Sequence, residues 1–473
     1  MKATLISPAA PTMHDRQFSP AIAALSLSML LASFGTSVAN VSLPTLVQVF
    51  DASFQQVQWV VLAYLLSITT LIVSVGRLGD IVGRRRLMVS GLALFTLASL
   101  VSGLAPSLWM VIAARAVQGL GAAVMMALSI AFIGQTVQTE MTGRAIGLLG
   151  TMSAIGTALG PSLGGFLIAG FGWQAIFLVS VPVGIIAIYL ANRFLPNDQP
   201  MTAQRGGFDL TGTALLALTL AAYALAMTLG RGQFGPLNAI LLLSAFAGLA
   251  AFILAEARIA TPLIHLSLFR QRSLSTGLAT SLLVSTVVMA TLVVGPFYLS
   301  GALGLSATAV GAILSVGPIV SALVGVPAGR LTDRFGTRTI ASVGLTAMTL
   351  GALALSLTPA AFGIPGYVLP LAILTAGYSA FQTANNTSVM KGLKPDQRGV
   401  ISGMLNLSRN LGLVTGVSVM GAVFAYGTGA SDISAAAPTS VETGMHLAFA
   451  LATVVIATAL SLVLRSARDL SAH

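Results

Sequence analysis

Two arginines, Arg115 and Arg409, stand inside long apolar runs of the chain. A guanidinium at membrane depth costs about 2.5–3.5 kcal/mol on insertion scales, so each should face protein and find a partner there. Arg115 opens the string RAVQGLGAA, which ends at Ala123, with Gln118 one turn on. At about 1.5 Å per residue from the start of its run near Ser107, Arg115 lies about 12 Å deep. Arg409 sits in NLSRNLG, Asn406 to Gly412, about 15 Å beyond Gly399 and near the middle of its run. A third polar set, Tyr378, Gln382, Asn385 and Asn386 around Phe381, recurs at spacings that bring much of it to one helix face. Polar side chains at that depth belong against protein or a water-filled cavity. Such groups hold a small molecule by hydrogen bonds and charge. They do not suggest bond-breaking chemistry. Cysteine is absent, and the four histidines, His14, His265, His446 and His473, are scattered and unpaired.

A different kind of signal is a ten-residue string that occurs twice. GRLGDIVGRR runs from Gly76 to Arg85 and GRLTDRFGTR from Gly329 to Arg338. Gly76, Asp80 and Gly83 match Gly329, Asp333 and Gly336, and each copy lies between two apolar runs. A basic inner loop alone would explain Arg84 to Arg86. It would not explain the same Gly-x-Leu-x-Asp-x-x-Gly frame appearing in both halves. Glycines there permit a tight turn, and an aspartate can face the positive N-terminal end of a helix. A loop duplicated one per half implies two related membrane bundles.

The elements that must position these residues are membrane spans. Of 473 residues, 56% are hydrophobic and 7% charged, against about 25% charged in soluble domains. The net charge of +11 sits in short clusters between apolar runs without interleaved aromatics, which excludes a nucleic-acid binder. With about 20 apolar residues per span, the chain predicts fourteen spans. They centre near Met29, Leu66, Leu94, Val124, Ser153, Val181, Ala217, Ala245, Val287, Val316, Thr346, Thr375, Gly416 and Val454. The first run, Pro20 to about Leu43, is too long for a signal-peptide core and reads as a retained span.

Lysine and arginine stay cytoplasmic, and here they fall at the termini and in alternate loops. Only Arg231 falls in the opposite set of loops. Both termini are therefore expected in the cytoplasm. The chain divides into an N-terminal six-helix bundle, 1–195, a linker with spans 7 and 8, 196–272, and a C-terminal six-helix bundle, 273–473.

Span 5 carries the most specific pattern. Gly147, Gly156, Gly160-Pro161 and Gly164-Gly165 follow at fixed spacing. Glycines four residues apart let two helices touch backbone to backbone, and Pro161 removes one helix hydrogen bond and permits a bend. Together with the repeated loop, RAVQGLGAA and the two central spans, this pattern makes the chain resemble the major facilitator superfamily over nearly its whole length. Within that superfamily it is similar to the fourteen-span drug:proton antiporter branch. Weaker likenesses lie in Gln58 to Leu66, Gly172 to Gly184 and Pro262 to Arg270.

The resemblance implies an all-α membrane protein of the major facilitator fold, with two six-helix bundles and two central linker helices. It implies a secondary transporter working by alternating access, a multidrug-type efflux antiporter rather than an enzyme. No metal or cofactor is expected. The expected partners are a small-molecule substrate, protons and the lipid bilayer of the cytoplasmic inner membrane, with the protein a monomer. An uptake symporter of the same fold is the alternative, and a transport-dead sensor would use the same cavity. The substrate is expected near Asn40, Arg115, Gln118, Tyr378, Gln382, Asn385 and Arg409. Gating is expected from Gly76, Asp80, Gly83 and Arg84, from Gly156, Gly160, Pro161, Gly164 and Gly165, and from Gly329, Asp333 and Gly336. Asp80 would latch onto the start of span 13 near Gly399.

One departure bears on specificity. Drug-exporting relatives usually carry an acid on span 1, within a stretch resembling FGTSVANVSLP, Phe34 to Pro44; here Gly35 takes that place. Every acid of the chain reads as a loop or helix-end residue. Two fixed positive charges and no negative one inside the membrane favour a neutral or anionic substrate.

Overall fold

In the computed structural model the described residues are 13–72, 74–136, 142–198, 209–229, 235–258, 271–390, 395–429 and 436–471, and they form helices and no strand. Arg231 and His265 lie outside them. Fourteen helices are long and apolar enough to cross a membrane. Spans 1 to 6 are Pro20–Phe50, Phe54–Leu71, Arg84–Gly103, Leu108–Ile133, Leu148–Phe171 and Ala175–Phe194. Spans 7 and 8 are Leu210–Thr228 and Pro236–Glu256. Spans 9 to 14 are Ser273–Ala302, Ala307–Phe335, Thr337–Leu357, Ala360–Met390, Gly403–Thr428 and Pro438–Arg465. Each centre expected from the sequence falls inside its span.

Helix ends follow local chemistry. Ser53 and Gln56 form a capping box at the start of span 2, the Ser53 side chain accepting from the Gln56 amide at 3.3 Å and Gln56 accepting from the Ser53 amide at 2.8 Å. Asp209 caps span 7 by accepting from the Gly212 amide at 2.8 Å. Π-helical turns, rare in proteins, end span 9 at Tyr298–Ala302 and interrupt span 13 at Gly416–Met420.

The two bundles repeat one packing device. In the first, a Cβ on Gly121 of span 4 would stand 2.6 Å from the Gly91 carbonyl of span 3. In the second, a Cβ on Gly344 of span 11 would stand 2.6 Å from the Gly377 carbonyl of span 12. Gly91 and Gly344 are separated along the chain by the same interval as Gly76 and Gly329. The duplication read in the loops thus extends into the helix crossings.

The bundles press together at the face opposite the termini. There the Phe54 ring lies 4.7 Å from Phe297 and 5.5 Å from Phe424, edge to face, and Gln58 Nε2 donates to the Val417 carbonyl at 3.0 Å. Span 7 lies against both bundles. Trp59 Nε1 donates to Thr228 Oγ1 at 3.1 Å, and Ser74 and Thr213 share a hydrogen bond of 3.1 Å. On its other side Leu216 and Leu220 pack with Met404, Leu405 and Leu407 of span 13.

Candidate functional site: a buried arginine, a glycine seam and an unpaired arginine

Arg115 is fully buried in the N-terminal bundle. Its Nε donates to the Val60 carbonyl at 2.9 Å, its Nη1 to Gln118 Oε1 at 2.6 Å and its Nη2 to the Gly35 carbonyl at 2.8 Å. The guanidinium carbon lies 3.9 Å from the centre of the Tyr64 ring, a cation–π contact strengthened by exclusion of water. Gln118 passes the chain on, Nε2 donating to Ser99 Oγ at 2.6 Å, and Tyr64 Oη donates to the Ala32 carbonyl at 2.7 Å. One cation therefore ties spans 1, 2, 3 and 4 together with no carboxylate. The interior partner expected for Arg115 is present, and it is made of backbone oxygens and a ring face.

Gly35 is part of that cage. A Cβ there would stand 2.9 Å from Tyr64 Oη and 3.4 Å from the Phe95 ring. Position 35 therefore points into the bundle, onto Tyr64 and Phe95.

The span 5 glycines divide between two faces. Gly156, Gly160 and Gly164 lie against span 1, where added Cβ atoms would meet the Leu30 carbonyl, Ser37 Oγ and Val41 respectively. Gly165 points the other way, its Cβ position 2.6 Å from the Ala307 carbonyl and 3.0 Å from Gly311 Cα of span 10. The Pro161 carbonyl closes the same contact against Gly311. One helix thus fastens to its own bundle along one stripe and meets the other bundle along another.

The two loops differ. In the first, a separate helix, Val75–Val82, ends at Gly83 with φ +102°. Asp80 Oδ1 accepts from Arg84 at 3.0 Å. Asp198, beyond span 6, accepts from the Arg85 amide at 2.8 Å and the Arg86 amide at 3.2 Å, and the Arg85 guanidinium donates to Asn197 and to the Asn192 carbonyl. In the second, span 10 runs unbroken to Phe335, and Gly336 turns with φ +86°. Asp333 is exposed there and holds no ion pair among the described residues. The expected latch partner near Gly399 falls in a stretch, 391–400, whose side chains lie outside the described residues; Asp80 is held by Arg84 instead.

In the C-terminal bundle Asn385 is buried and donates to the Gly277 carbonyl at 3.1 Å. Tyr378 and Gln382 are half-buried, and Gln382 Oε1 has no hydrogen-bond partner. Arg409 is half-buried, its Nε likewise without an acceptor. Asn40 is buried on span 1, with its amide nitrogen on the Thr36 and Ser37 carbonyls and its Oδ1 unpaired. Arg115, Gln118, Asn40 and Asn385 are thus buried within their own bundles. The reason is that each finds backbone or side-chain partners within its own bundle.

Sequence reasoning missed two acids. Asp198 reads as a loop charge and is a helix cap. Glu256 reads as a helix-end residue and is 2% exposed; its Oε1 and Asp209 converge on Gly212, whose Cβ position lies 2.6 Å from that oxygen. No linear signal joins residues from the two ends of a helical hairpin. Among the described residues no cluster of three metal-type ligands occurs.

The chain matches the family model described as Major Facilitator Superfamily over residues 25–417. It is 30% identical over 399 residues to the riboflavin transporter RibZ of Clostridioides difficile (strain 630), covering 84% of this chain and 86% of the relative. It is 31% identical over 408 residues to the multidrug resistance protein Stp of Mycobacterium tuberculosis (strain CDC 1551 / Oshkosh), covering 85% and 75%. Among solved structures, a bacterial homolog to the human lysosomal transporter Spinster, in an inward-facing and unoccupied conformation, matches with a TM-score of 0.69 over 98% of both chains. That likeness, at 16% identity, is one of fold.

Proposed function

The chain belongs to the major facilitator superfamily and is a membrane transporter, and from that premise we propose that it exports a small neutral or anionic organic molecule, such as a drug, in exchange for protons. The relatives named for multidrug resistance and for riboflavin support a small organic substrate. The protein works as a monomer in the cytoplasmic inner membrane with both termini in the cytoplasm, by alternating access between an N-terminal bundle, 1–195, and a C-terminal bundle, 273–473, with the linker 196–272 beside them. With the termini inside, the face closed by Phe54, Phe297 and Phe424 is the external one.

The observation that carries this reading is the span 5 seam. Two bundles can rock about a line only where backbones touch without side chains between them, and Pro161, Gly165 and Gly311 make such a line. Gly156, Gly160 and Gly164 hold the moving helix to span 1. In the outward-facing state Asp80 leaves Arg84 and turns to the N-terminal end of span 13, where a helix dipole receives a carboxylate. Tyr378, Gln382 and Arg409 contact the substrate, and Asn40, Arg115, Gln118 and Asn385 form the walls behind them.

Proteoliposomes with an imposed pH gradient test the direction. Probe movement against the proton flow, absent in the Gly160→Val protein, is the expected result. Movement with the proton flow would make the protein an uptake symporter. Probe binding without any flux would make it a sensor.

A further inference from the structure

We propose that Arg409 is the residue that selects substrates by charge, and that Arg115 takes no direct part in that selection; the inference deepens the transport reading and rests on it. The two intramembrane guanidinium groups stand in opposite conditions. Arg115 is fully buried, donates three hydrogen bonds to oxygens of its own bundle and lies on the Tyr64 ring. An anion could reach it only by displacing those partners. Arg409 is half-buried, and among the described residues it makes no hydrogen bond, ion pair or ring contact; its Nε–H lacks an acceptor.

The helix face fixes where Arg409 points. On span 13, Ser408 Oγ donates to the Leu278 carbonyl of span 9 at 2.6 Å, and Gly412 and Gly416 lie against Leu282 and Thr286 of the same helix. Leu407 and Leu411 pack with Leu216 and Leu220 of span 7. At 3.6 residues per turn these contacts take two sides of the helix. The remaining side carries Asn406, Arg409 and Leu413, all half-buried. An asparagine and an arginine at this spacing are strongly disfavoured against lipid, so the stripe faces a space lined by protein and reached by water.

Depth and charge define the ligand. Arg409 lies six residues beyond Gly403 in span 13, about 9 Å along the helix. The described carboxylates of this bundle do not serve it. Asp333 lies near the end of span 10, and Glu442 accepts from the Ala360 amide at 2.7 Å at the opposite face. The unpaired Nε–H, with its neighbouring Nη–H, offers the side-on fork that matches a carboxylate. The preferred substrate therefore carries a carboxylate or comparably placed acidic oxygen on an apolar body.

The test uses a matched pair of probes, 1-naphthoate and 1-naphthamide, which share a ring system and differ in charge. Their dissociation constants are measured with the full chain in lipid nanodiscs, for the parent, R409Q and R409K. The parent should bind naphthoate at least tenfold tighter than naphthamide. R409Q should bind the two equally, with the unfolding temperature unchanged. R409K should keep part of the preference, because it keeps the charge and loses the fork. No naphthoate preference in the parent, a preference that survives R409Q, or a collapse of R409Q stability would each overturn the inference. Proton-driven flux of the parent in proteoliposomes is scored separately. Absent flux with an Arg409-dependent preference sinks the transport reading alone, and flux with a preference indifferent to Arg409 sinks the inference alone.

Discussion

The N-terminal bundle pairs its intramembrane arginine and its loop aspartate, and the C-terminal bundle leaves its own arginine and loop aspartate unpaired among the described residues. Arg115 has three acceptors and a ring, and Arg409 has none of these among the described residues. Asp80 is paired with Arg84, while Asp333 stands exposed. Span 3 begins under the Asp198 carboxylate, whereas span 11 begins at Gly336 without a side-chain cap. Both bundles keep the glycine crossings, Gly91 with Gly121 and Gly344 with Gly377, so the difference lies in polar chemistry laid over a shared backbone plan. On the transport reading the first bundle serves as the frame, and the second offers its unpaired groups to the substrate.

The sharpest way to break this contrast is at the arginines. Arg115→Leu removes the side-chain donor to the Val60 and Gly35 carbonyls and leaves Gln118 Oε1 without one in a water-free core, where an unsatisfied acceptor costs about 1–3 kcal/mol. Its unfolding temperature should fall further than that of any other variant named here. Arg409→Gln should leave the unfolding temperature within error of the parent. Equal losses in the two would mean that Arg409 has a structural role too.

Next in size is the span 5 stripe. Gly160→Val drives a branched side chain into Ser37 and the backbone of span 1, and overpacking costs about 1–3 kcal/mol. The loss falls on the helix that must move, so flux should vanish while the protein still inserts. Gly403→Val, on span 13 where a Cβ meets nothing within 4 Å, should retain most of its flux. If both lose flux alike, the stripe is ordinary packing.

How much of this was legible in the sequence follows from the length scale of each signal. The fourteen spans, the duplicated loop and the glycine spacing are local or periodic patterns, and a single string displays them. The position of Gly35 is the instructive failure. A missing acid reads as an empty place in a substrate cavity. The structure turns position 35 onto Tyr64 and Phe95, so an aspartate there would meet packed side chains of its own bundle. Which way a span is rotated depends on its neighbours, and no residue on span 1 announces it. The same reason hid the burial of Glu256 and the engagement of Asp198 with a helix start more than a hundred residues earlier.

The loops offer a smaller effect. Asp80→Asn removes an ion pair that is part-exposed in the described state, worth little in itself. It also removes the charge that a helix terminus would hold in the other state, up to about 2 kcal/mol. The outward-facing population should fall by up to about thirtyfold, and flux with it, at normal expression. Asp333→Asn, with no partner to lose among the described residues, should keep more of its flux. Wild-type flux in both would remove the loop from the gating mechanism.

The smallest predicted effect tests the frame most directly, because it touches neither substrate nor seam. Asp198 accepts from the Arg85 and Arg86 amides at 2.8 and 3.2 Å, which are otherwise two of the unsatisfied donors at the start of span 3. Losing a cap costs about 1 kcal/mol. Asp198→Ala should therefore lower the unfolding temperature slightly and raise amide hydrogen exchange at Arg85 and Arg86. No comparable variant exists at span 11, where Gly336 holds φ +86° and any side chain would be strained. Exchange at the first amides of span 11 in the parent should already match that of span 3 in the Asp198→Ala protein. Slower exchange at span 11 would show that the second bundle is tied down by contacts of its own, and the division into frame and mobile partner would fail.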